Sequence, residues 1–69
     1  MGKFNVNKEL KFIHSEKMKI SDKESSSFDL LNIASVLVSD YININKKNKF
    51  FYKIIYQKIK SFYLEITEH

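Results

Sequence analysis

The sequence predicts an α+β domain of ββαα order, a small N-terminal β-hairpin or ribbon packed on two α-helices. Three observations predict it. Polar and apolar residues alternate by parity over the first twenty-one positions, and apolar residues then recur at three and four between 26 and 41. A lysine- and aromatic-rich stretch from 47 to 66 places its apolar residues on one arc of a helix.

Even positions at the N-terminus give Phe4, Val6, Leu10, Phe12, Met18 and Ile20, while the odd positions from 3 to 21 are polar except Ile13. A helix scatters Leu10, Phe12 and Met18 around its cylinder, whereas a strand with one buried face collects them. Strands are therefore expected at about 3–13 and 17–21, with the reversal at His14-Ser15-Glu16, where both parities turn polar. Beyond a polar run, Ser26 is expected to cap a helix over about 26–41, with Asp29 at its third position. Leu30, Ile33, Ala34, Leu37, Val38 and Tyr41 supply its apolar face. Asn43, Asn45 and Asn48 mark the connection to a second helix over about 47–66.

Sixty-nine residues make one domain spanning 1–69. Without cysteine the chain has no disulfide staple, so a second copy or a partner is the natural supplement and a homo-oligomer is expected. The longest apolar runs fall well short of the ~18 residues that a membrane span needs, and no apolar block opens the chain. A cytoplasmic protein with no membrane span is expected. Neighbours in the His14-Ser15-Glu16 run point different ways on a strand or turn, His14 and His69 are not spaced as a zinc pair and no cysteine helps, and one glycine cannot build a phosphate loop. The sequence thus predicts no enzyme, no cofactor and no metal site.

Net charge is +4, and it is unevenly placed. Residues 1–40 carry six lysines against six acids, whereas residues 41–64 carry six lysines and no acid. Such asymmetry favours an acidic or polyanionic partner. Arginine is absent, which removes the bidentate fork that most often reads guanine or grips phosphate. Part of the basic character also follows the Lys, Ile and Asn usage of an AT-rich genome.

On a wheel of residues 49–66, Phe51, Ile54, Ile55, Ile59, Phe62 and Ile66 form one arc, expected to dock on the first helix and the sheet. Tyr52, Tyr56 and Tyr63 follow as a stripe, then Lys49, Lys53 and Lys60, with Phe50 and Leu64 on the far side. Aromatic anchors bordered by cations suit either a protein contact or a phosphate backbone with stacked bases, and apolar Phe50 and Leu64 favour the protein contact. Lys49, Tyr52, Lys53, Tyr56, Lys60 and Tyr63 are accordingly the expected partner-binding residues. They would cover an acidic or nucleic-acid-binding surface of a protein partner, in a small regulator or inhibitor of the kind phages and other mobile elements encode.

The alternative expectation is DNA or RNA binding. Lys17-Met18-Lys19-Ile20-Ser21 followed by two helices resembles the ribbon-helix-helix repressors over residues 17–66. That resemblance implies a dimer whose paired strands bury Met18 and Ile20 and present Lys17, Lys19 and Ser21 to the major groove.

Overall fold

A computed structural model describes residues 4–20, 25–44 and 48–68 as three helices: α1, Val6–Lys19; α2, Ser25–Asn43; and α3, Asn48–Thr67. Among the described residues there is no strand, so the ββαα expectation is overturned: this is a small all-helical domain. The correction falls on the N-terminal third: residues 6–19 of the two expected strands and their turn form one helix, residues 4, 5 and 20 flank it, and residues 3 and 21 lie outside the described residues. The dimeric ribbon goes with the strands.

Local chemistry explains why helix wins there. Asn5 has extended backbone, and its side-chain oxygen accepts from the Lys8 amide at 3.1 Å, satisfying one of the donors that every helix start leaves open. Glu9 in the first turn and Lys17 and Lys19 in the last complement the helix dipole. The inward face runs Val6, Glu9, Phe12 and Ile13, Glu16, Ile20, a three-and-four spacing in which two positions are carboxylates. Those acids hid the helical period from a hydropathy reading. Leu10 sits on the outer surface, and Met18, expected in the sheet's buried face, is 74% exposed.

In α2, Ser27, Leu31, Ala34 and Val38 line the interior at four-, three- and four-residue steps, flanked by half-buried Leu30 and Leu37. Ser26, expected as the cap, lies inside the helix, and Ile33 faces outward. At the C-terminal ends, the Ile44 amide donates to the Asp40 carbonyl and the Glu68 amide to the Leu64 carbonyl, each at 2.9 Å, continuing the helical ladder past its last residue.

α2 packs directly on both neighbours, whereas no α1 Cα comes within 8 Å of an α3 Cα among the described residues. Long side chains span that gap. The core they close consists of Ile13, Leu31, Ala34, Val38, Tyr56 and Tyr63. Thus the two tyrosines occupy positions that a soluble bundle usually gives to leucine.

Leu31→Ala is expected to cost about 2–5 kcal/mol in urea unfolding, as a truncation inside a packed core. Met18→Ser should stay within about 0.5 kcal/mol of the parent, as a surface change. Equal losses at the two sites would restore the buried-strand reading of the N-terminus.

Candidate partner-binding surface

α3 carries three chemically distinct sides, and the tyrosine hydroxyls decide how they are turned. Tyr56 and Tyr63 are 1% and 2% exposed. A phenol buried that far must donate its proton to something, and α1 supplies the acceptors. Tyr56 Oη donates to Glu9 Oε1 at 2.6 Å, and Tyr63 Oη donates to Glu16 Oε1 at 2.8 Å. Seven residues separate the two members on each helix, a rise of about 10.5 Å. Equal spacing on both means that α1 and α3 run parallel, with α2 returning between them.

Lys60 joins the first pair, its ammonium donating to Glu9 Oε1 at 2.9 Å while lying 4.6 Å from the centroid of the Phe12 ring. Phe4 meets Tyr56 edge-to-face at 5.6 Å, and Phe12 meets Tyr63 at 6.4 Å. Among the described residues no buried side-chain polar atom lacks a partner. Three of the six residues expected to face a partner, Tyr56, Lys60 and Tyr63, are thus engaged inside the molecule, joining α1 to α3.

The other three lie at the N-terminal end of α3 and remain half-exposed. The Lys49 ammonium sits 5.2 Å from the Tyr41 ring centroid, and Tyr52 packs edge-to-face against Phe51 at 5.9 Å. Lys53 lies 6.0 Å from the centroid of Phe50, which is 65% exposed. This is a basic aromatic edge, and Phe50 is its most prominent ring. The third side is apolar. Phe51, Ile54, Phe62 and Ile66, expected to dock inward, face out, and only Ile55 and Ile59 of that arc are half-buried. Leu64, expected outside, packs against the core.

The residues of the nucleic-acid alternative are also placed differently. Lys17 lies 5.5 Å over Phe28, Lys19 pairs with Glu16 at 3.0 Å, and Ser21 falls outside the described residues. His14 is exposed on α1. No three metal-ligating side chains cluster among the described residues, and none of their helices is long and apolar enough to cross a membrane.

Burial opposes ionisation of Glu9, but hydrogen bonds from Tyr56 and Lys60 and the charges of Lys60 and Lys8 outweigh it, so its pKa falls below the ordinary 4.5. Glu16 is lowered in the same way, burial again opposing, by Lys19 and Tyr63. Burial raises both phenols, reinforced by the bond to each carboxylate and its charge; Tyr63 is pushed up to about 12, and Tyr56 also lies above the ordinary 10.0. The signs bracket a window. The glutamates contribute stability that is complete above 4.5 and lost as pH falls through their lowered folded values. The phenols contribute stability that is complete below 10.0 and lost as pH rises through about 12 for Tyr63.

Comparison with protein-family models, curated proteins and solved structures finds no match.

Tyr56→Phe is expected to cost about 1–3 kcal/mol, since it withdraws a donor from a carboxylate at the α1–α3 junction. In a pH series followed by circular dichroism, the parent should melt at its highest temperature between pH 4.5 and 10.0 and decline on either side. Tyrosinate absorbance that rises with an ordinary midpoint for all four tyrosines in the folded protein would contradict the buried phenol–carboxylate pairs.

Proposed function

We propose that this chain is a small non-catalytic interaction protein that occludes an acidic surface of a protein partner, with the basic aromatic edge of α3 as the contact. The observation that carries the reading is Phe50, an aromatic ring 65% exposed with a lysine ammonium against it. Large rings held out in water at this level are costly unless covered, and aromatic side chains are enriched among the residues that dominate protein interfaces. Lys49 and Lys53 beside it favour a partner of opposite sign, mainly by speeding encounter and fixing register. Lys60 is withdrawn from this role because its charge is spent on Glu9.

Occlusion needs no catalytic group, which suits a chain whose chemistry lies in packing and charge. Brevity and AT-leaning residue usage support a regulator or inhibitor of the kind phages and mobile elements encode, acting inside the cell.

Immobilised protein incubated with nuclease-treated extract of its native host is expected to retain a discrete protein band. Phe50→Ala and Lys53→Glu should each lose that band while unfolding within about 0.5 kcal/mol of the parent. A signal removed by nuclease, or a band kept by both variants, contradicts the proposal.

A further inference from the structure

We infer that the apolar side of the α2–α3 hairpin, the side away from α1, is where a second copy of this chain packs, giving a two-fold four-helix arrangement with α1 on the outside. The inference goes beyond the partner reading and does not depend on it, because it concerns a different side of α3.

The first ground is the surface itself. On α3, Phe51, Ile55, Lys58, Phe62 and Ile66 follow one another at four, three, four and four residues, which places them on one stripe. Phe51 and Phe62 are 59% and 52% exposed, and Ile66 is also open. On α2, Asp29, Ile33, Val36 and Asp40 follow at four, three and four, with Ile33 and Val36 about half exposed. Tyr41, on the same side of α2 as Leu30 and Leu37, lies under Lys49 of α3, while Phe28 on the other side lies under Lys17 of α1, so Ile33 borders the side of α2 turned to α3. Open phenylalanine, isoleucine and valine side chains on two neighbouring helices are more than single apolar residues scattered over a surface. The rotation of α3 sharpens the point. Turning it to bury this stripe would wet the tyrosines, and the chain instead keeps the tyrosines in and its phenylalanines out.

The second ground is charge, and it selects the occupant. On the face itself, Asp29 and Asp40 stand at the two ends of the α2 stripe and Lys58 stands within the α3 stripe, whereas Lys49, Lys53 and Lys60 lie on other sides of α3. A face that is acidic on one helix and basic on the other complements itself when two copies meet head to side, α3 of one on α2 of the other. Two-fold symmetry then makes each favourable contact twice. Packing α3 on α3 is disfavoured, because Lys58 occupies the middle of the stripe and would face its own copy. Anionic lipid is disfavoured as well: Asp29 and Asp40 border the patch, while Lys49 and Lys60 point to the opposite side of α3.

Sedimentation equilibrium of the full chain is expected to give twice the 8.2 kDa mass of one chain at tens of micromolar concentration, about the range of a modest interface. Phe62→Ser with Ile33→Ser should give the single-chain mass while the helical circular dichroism is retained. Lys58→Glu should weaken association about tenfold, and adding Asp29→Lys with Asp40→Lys should recover most of it. A parent that stays at 8.2 kDa up to about 1 mM overturns the inference, as does a dimer that Phe62→Ser with Ile33→Ser leaves intact. Flotation of a monomeric parent with vesicles of phosphatidylserine and phosphatidylcholine, lost in that double variant, overturns it in favour of a lipid surface. Phe50→Ala should leave the dimer unchanged, so loss of partner capture and loss of self-association read out separately.

Discussion

Two phenolic hydroxyls need acceptors in the interior, and two glutamates on α1 provide them. Ring burial drives the tyrosines inward: about 150–250 Å² each, at ~25 cal/mol per Å², gives roughly 4–6 kcal/mol apiece as an upper bound. The hydroxyl then decides what the ring lies against, since leaving it unpaired would return about 1–3 kcal/mol of that gain. Glu9 and Glu16 are well suited because a carboxylate accepts a shorter, stronger bond than a neutral oxygen. Through these bonds α1, whose backbone stays clear of α3, is fixed in direction and register.

That constraint propagates outward. With Tyr56 and Tyr63 inside, the helix geometry of α3 leaves Phe51, Phe62 and Ile66 outside and sets Phe50 and Lys53 on a separate edge. One helix thus serves three environments: the bundle interior, an apolar flank and a basic aromatic edge. Lys60 belongs with the interior, where Glu9 and the Phe12 ring hold it. A half-buried ion pair of this kind gives little net stability by itself, but it does set which side of α3 approaches α1.

The parts of this arrangement differ in how far the sequence discloses them. The three-and-four recurrence of Leu30, Ala34, Leu37 and Val38 marks α2 openly, because its inward positions are apolar. α1 is concealed: its inward positions include Glu9 and Glu16, so hydropathy follows the accidental parity of Phe4, Val6, Leu10 and Phe12 instead. The orientation of α3 is concealed for the same reason. An amphipathic wheel assumes that the oiliest arc turns inward, and here hydrogen-bonded tyrosines displace it. A usable signal was nevertheless present, a seven-residue acid spacing in one segment matched by a seven-residue tyrosine spacing in another. Tyr52, Lys49 and Lys53 stay half-exposed near the N-terminal end of α3, short of the positions where Glu9 and Glu16 hold Tyr56 and Tyr63.

The most direct test is a double-mutant cycle at the junction of α1 and α3. Unfolding free energies of the parent, Tyr56→Phe, Glu9→Ala and the double variant isolate the energy shared by the pair from whatever each change does alone. A coupling of about 1 kcal/mol or more is predicted for a short bond between a buried phenol and a carboxylate. Strictly additive losses would contradict the account, since α1 would then be held by its apolar residues alone and the rotation of α3 would need another cause.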